Sequence, residues 1–146
     1  MNDEIIATLQ GDRPPGIYRI TSHLALAELA AFCEERNFKL FLIQGDRANN
    51  KAAFMHESAQ VMNFPDYFGA NWDAFEDCLT DLEWLPANGY VLLYLYPEHF
   101  AEAHPTDWSI VVSILQSAVE EWRKTESPLF VFFKTNKLTL SEFKEL

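Results

Sequence analysis

Three nearly uninterrupted apolar runs, at residues 40–43, 90–96 and 129–133, limit what this chain can fold into. A strand with one wet face alternates apolar and polar residues. A strand covered on both faces reads instead as a continuous apolar run, and such strands belong to parallel sheets flanked by helices. Stretches with helical periodicity lie before and between the runs: residues 23–37, 50–62, 71–83 and a long one from Asp107 to about Lys124. Residues 16–20 alternate and follow the turn Gly11-Asp12-Arg13-Pro14-Pro15-Gly16, so they read as one more strand. The expected fold class is therefore α/β: a small, mostly parallel β-sheet covered by helices, with an extra N-terminal strand–helix unit.

Finer expectations follow from local signals. Thr21 or Ser22 is the expected N-cap of the first of these helices, whose apolar side would carry Leu24, Leu26, Ala27, Ala30, Ala31 and Cys33. Asp107 is the expected cap of the last. Residues 97–104 read as a short helix or loop, and residues 141–146 as a final helical turn. The 146 residues suit a single domain with a core large enough to need no metal or disulfide.

Several classes of function find no support. No apolar run approaches the ~18 residues of a membrane span. Met1-Asn2-Asp3-Glu4-Ile5-Ile6 lacks the basic and apolar regions of a secretory signal, so a cytoplasmic location is expected. Cys33 and Cys78 lie in no CxxC pair; buried free thiols are the expectation, with a bridge between them left open. His23, His56, His99 and His104 show no zinc spacing, and no Gly-x-Ser-x-Gly elbow is present, so neither a metal, a cofactor nor catalysis is expected. Gly45-Asp46-Arg47-Ala48-Asn49-Asn50-Lys51 follows a strand and opens a helix like a phosphate-binding loop, but it lacks the second glycine and the Ser/Thr after the lysine.

The charge is acidic and unevenly placed. The chain has 22 Asp and Glu against 11 Lys and Arg, a net charge of −11. Twelve of those acids fall between Ala52 and Trp122, a stretch without a single Lys or Arg. Nucleic acids and anionic membranes are bound through Lys and Arg, so direct binding to either is not expected. A one-signed block inside a folded region instead suits steering of a cationic partner. On a helix starting at Asn71, the residues Trp72, Phe75, Cys78, Leu79 and Leu82 share one arc of the wheel, the expected buried side. Asp73 and Asp77 lie opposite, one turn apart, with Glu76, Asp81 and Glu83 flanking them. Repulsion at that spacing costs a few tenths of a kcal/mol. A face of this kind, with no basic partner, reads as a ligand for cations. On the later helix, Glu120 faces away from Ile110, Val111, Ile114, Leu115, Ala118 and Trp122.

The run Phe64-Pro65-Asp66-Tyr67-Phe68-Gly69-Ala70-Asn71-Trp72-Asp73-Ala74-Phe75-Glu76-Asp77-Cys78-Leu79-Thr80 resembles the signature of the barstar family of ribonuclease inhibitors. The resemblance extends over residues 38–134, leaving 1–37 as an N-terminal extension and 135–146 as a tail. It implies an intracellular protein, a monomer when free, that plugs the active site of a basic ribonuclease and is not itself an enzyme. By position in the motif it implies that Tyr67 is the aromatic contact from the loop and that Gly69 and Asn71 shape that loop. Asp73 and Asp77 would meet the nuclease's catalytic cations, and Glu120 would match the family's acid on the later helix. Glu76 stands where the family often has Trp, which removes an aromatic anchor and adds charge at the same surface. The alternative is an acidic protein-binding or immunity module for a different cationic partner.

Overall fold

A computed structural model of the protein describes residues 3–66, 68–137 and 140–146. The three apolar runs form adjacent parallel strands: β2 (Phe38–Gln44), β3 (Gly89–Leu95) and β4 (Leu129–Lys134). β1 (Ile17–Ile20) lies against β4, with Tyr18 opposite Phe132, and a short β5 (Lys144–Glu145) pairs with the outer side of β1. The sheet order is β2-β3-β4-β1-β5 and every pairing is parallel, in agreement with the expected fold class. Residues ahead of Phe38 are therefore built into the sheet rather than appended to it.

Both faces are covered, which explains the continuous runs. Tyr90, Leu92, Tyr94, Val131 and Phe133 point to one face. It is covered by α3 (Lys51–Val61), α4 (Trp72–Asp81), α5 (Glu98–Ala103) and α6 (Pro105–Arg123). Val91, Leu93, Phe130 and Phe132 point to the other. There they meet Ile5 of α1 (Asp3–Ala7), Leu9 of the wider turn Thr8–Asp12 that continues it, and Leu29 and Cys33 of α2 (Leu26–Glu35). Phe54 is the hub of the first face: its ring lies 5.1 Å from Phe75, 5.9 Å from Tyr94 and 5.9 Å from Phe100, so it joins α3, α4 and α5 to β3. Among the described residues no helix is long and apolar enough to cross a membrane.

The structure corrects several local expectations. Residues 141–146 form no helical turn; β5 forms there instead, because burying Leu140 and Phe143 carries the chain alongside β1, where Leu146 N–H donates to the Arg19 carbonyl at 2.9 Å. The Arg19 guanidinium, largely buried, pairs with Glu145 at 3.3 Å. α2 starts at Leu26, without a side-chain cap from Thr21 or Ser22. Its buried residues are Leu29 and Cys33, while Leu26, Ala27, Ala30 and Ala31 are exposed. α6 starts at Pro105, a position where the missing proline N–H costs nothing, so Asp107 lies in its first turn rather than capping it. Cys33 and Cys78 are both free and buried, on helices covering opposite faces of the sheet, so the bridge left open by the sequence is not formed.

Candidate functional site

The site is built on the loop 64–71 and the helix that follows. The loop is anchored from within: Phe64 packs edge-on against Phe68 at 5.0 Å and against Trp84 at 6.2 Å. Ala70 adopts a left-handed φ of 52°, which turns the chain into an extended Asn71. The Asn71 side chain then accepts the Ala74 N–H at 2.8 Å and caps α4, worth about 1 kcal/mol. Gly69 keeps this cap free, since a Cβ there would stand 3.1 Å from Asn71 Nδ2. Tyr67 lies outside the described residues.

The wheel reading of α4 holds. Phe75, Cys78, Leu79 and the left-handed C-cap Leu82 are buried, and Trp72 is half-buried. Two indole N–H groups fix the surroundings: Trp122 of α6 donates to the Leu79 carbonyl at 2.9 Å, and Trp84 donates to the Met62 carbonyl at 2.9 Å. On the outward side Asp73, Asp77 and Asp81 are exposed and Glu76 is half-buried. Among the described residues none of these four acids joins an ion pair. Asp73 lies in the first turn, where the helix dipole favours an anion; Asp77, a turn later, has no such compensation. The thiol of Cys78 registers the field of this face: burial first, then the charges of Asp77 and Asp81, push it above its ordinary range. Burial pushes Cys33 up to about 11. Both thiols are therefore protonated and unreactive near neutral pH.

Two depressions flank the loop. A small one of about 150 Å³ is lined by Phe68, Ala74, Asp77, Cys78 and Asp81. A larger, apolar groove of about 360 Å³ runs between α3 and the loop, past Met55, Ala59, Phe68 and Ala70. Phe68 lines both, although nothing in the periodicity singled it out; its place next to Tyr67 in the motif was the only hint.

Glu120 stands apart from this arrangement. It pairs with Arg123 at 3.4 Å and lines a separate cleft with Ile17, Gln116 and Lys144, while Asp77 lines the α4 cleft. Arg123 in turn donates to the Pro15 carbonyl at 2.6 Å. The i,i+3 spacing of Glu120 and Arg123 on one helix carried that pairing in the sequence. Glu98, one of the twelve acids between Ala52 and Trp122, is buried at 6% exposure. Among the described residues no group of three His, Cys, Asp or Glu side chains is placed to hold a metal ion. The loop 45–51 offers no phosphate cradle. The Arg47 and Ala48 amides close their own turn on the Gln44 carbonyl, and Gly45 N–H donates to the Leu95 carbonyl at 2.7 Å. A Cβ at Gly45 would stand 2.2 Å from the Tyr96 carbonyl oxygen, so this glycine serves a close approach of two backbones.

No curated protein matches the chain at a significant level. Among solved structures, the crystal structure of Cdc6p from Pyrobaculum aerophilum matches 97% of this chain with a TM-score of 0.62 and 16% identity. A structure of Drosophila ORC bound to DNA matches 92% of it with a TM-score of 0.59 and 16% identity. This chain spans only 41% and 36% of those chains, and the likeness is one of fold. The family described as Barstar (barnase inhibitor) matches residues 38–134, from the first residue of β2 to the last of β4, with the loop and α4 at its centre. With two thirds of its length matched in this way, the chain belongs to the barstar family.

Proposed function

We propose that the protein is an intracellular inhibitor that blocks the active site of a basic ribonuclease with α4 and the loop before it. One observation carries this reading: in a barstar-family chain, Asp73 and Asp77 stand one turn apart on a capped, aromatic-backed helix with no basic partner among the described residues. A ribonuclease site holds the RNA phosphates with several fixed cations. Carboxylates at one-turn spacing can occupy those phosphate positions. Because α4 is fixed before binding, little freedom is lost on association, and the acidic block from Ala52 to Trp122 speeds the encounter. In this reading Asp73 and Asp77 supply the central charges with Glu76 on the same helix, and Tyr67 is the aromatic contact that the family motif implies. Glu120, already paired with Arg123, acts at the rim. No catalytic group is required of the inhibitor.

The test is a titration of RNA cleavage by a panel of basic secreted ribonucleases at low ionic strength. Stoichiometric loss of cleavage with at least one of them is the expected result. Undiminished cleavage by all of them, together with affinity capture of a cationic protein that is not a nuclease, would favour the immunity-module alternative.

A further inference from the structure

Among the described residues, the two large apolar side chains left exposed are Leu26 at 37% and Tyr96 at 43%, and both line the same cleft. The cleft has a volume of about 400 Å³ and is completed by His23, Leu24, Leu95 and Lys134. It shares no residue with the depressions beside α4.

Its position in the sheet is one where ligand sites form. In open parallel sheets, crevices arise at the carboxyl ends of neighbouring strands whose following segments go to opposite faces. β1 leads into α2, on the face of Val91 and Leu93. β4 leads to Leu140 and Phe143, on the face of Tyr94 and Phe133. β1 and β4 are neighbours, and the cleft opens at their carboxyl ends.

Three of the lining groups have a feature that folding alone does not require. Leu26 lies three residues before Leu29 and seven before Cys33, so it prolongs the buried stripe of α2 beyond the end of the sheet. Tyr96 has a φ of 55°, a left-handed conformation that favours glycine, yet it carries a large exposed ring. Its N–H donates to the Lys134 carbonyl at 2.8 Å and its carbonyl accepts from His99 N–H at 3.3 Å, so the turn is held from both sides. Lys134 ends β4 opposite Leu95 and Ile20, on the α2 side of the sheet. Among the described residues it has no acidic partner, in a chain of net charge −11.

We infer that this cleft binds a small organic anion with an aromatic body. The body would lie over Leu24, Leu26 and the Tyr96 ring, with its anionic group on the Lys134 ammonium and His23 at the rim. The volume suits one such ligand.

Amide chemical-shift titration of the full chain with 2-naphthoate and with its neutral analogue naphthalene-2-methanol tests this. Naphthoate should give saturable shifts centred on Leu24, Leu26, Tyr96 and Lys134, and the alcohol should bind about fivefold more weakly. Lys134→Gln should reduce naphthoate binding to the level of the alcohol. Tyr96→Gly, which suits the left-handed φ, should keep the folded spectrum and lose about tenfold in affinity. Absence of saturable shifts would overturn the inference, as would equal binding of acid and alcohol, or shifts centred on Met55 and Phe68. Concentration-dependent shifts of the same amides without ligand would also overturn it, because a second copy of the chain would then cover the cleft.

Discussion

Replacing Asp77 with alanine is expected to weaken binding to the cationic partner by at least about 2 kcal/mol, roughly 30-fold. The reason is local. Asp77 is exposed, unpaired among the described residues, and carried by a helix held through Phe75, Leu79 and the Trp122 indole. It loses little freedom when it meets a cation, and on binding both charges leave water together. Truncating it then leaves the partner's cation buried without its counter-charge, which is the costly outcome. Glu57→Ala serves as the control. Glu57 belongs to the same acidic block but is half-buried on α3; burial first, and then the Glu57 charge, raise the Tyr94 hydroxyl above its ordinary range. Its loss should change affinity by less than about 0.5 kcal/mol, mostly through the encounter rate. Calorimetric titration of both variants decides the matter; equal effects would mean a diffuse field rather than a focused site.

Phe54→Ala should be the most damaging single change to the fold, costing about 3–5 kcal/mol. Phe54 is fully buried and its ring meets Trp72, Phe75, Tyr94 and Phe100. The cavity left behind would sit among three helices and β3, so no single element could collapse to fill it. Against a typical total stability of about 5–15 kcal/mol, the thermal midpoint should fall by about 10 °C. A drop of only a degree or two would show that α3, α4 and α5 are not held through this ring. Because Phe54 backs α4 through Phe75 and Trp72, the same variant should also loosen the acidic face.

The parts of the fold legible in the sequence are those dictated by burial. β2, β3 and β4 follow from continuous apolar runs, because each strand is sandwiched between two helical layers. α3 and α4 follow from periodicity; that Asn50 and Asn71 cap them, each accepting an N–H three residues on, emerges from the structure. What could not be read depends on contacts distant in sequence. β5 has two exposed residues and no pattern of its own; the burial of Phe143 and the Arg19 contacts draw it into place. The insertion of β1 between β4 and β5 is likewise a matter of topology. Leu26 was legible as apolar but not as exposed, because its stripe continues past the point where the sheet ends. In the candidate site, the outward acids of α4 were readable from helical spacing alone. That Gly69 shapes the loop was implied by the family resemblance alone, since the reason depends on where the Asn71 side chain must lie. Glu120, which the family pattern assigns to the interface, is met on its own helix by Arg123 at 3.4 Å.

The most direct measurement is amide hydrogen exchange on the complex with whichever ribonuclease the titration identifies, followed residue by residue against the free protein. Protection should concentrate on the loop 64–71 and α4, strongest around Asp73 and Asp77, with little change along α2 and β5. Protection spread evenly over the acidic block, or centred on the Glu120 cleft with α4 unchanged, would contradict a focused inhibitory face on α4.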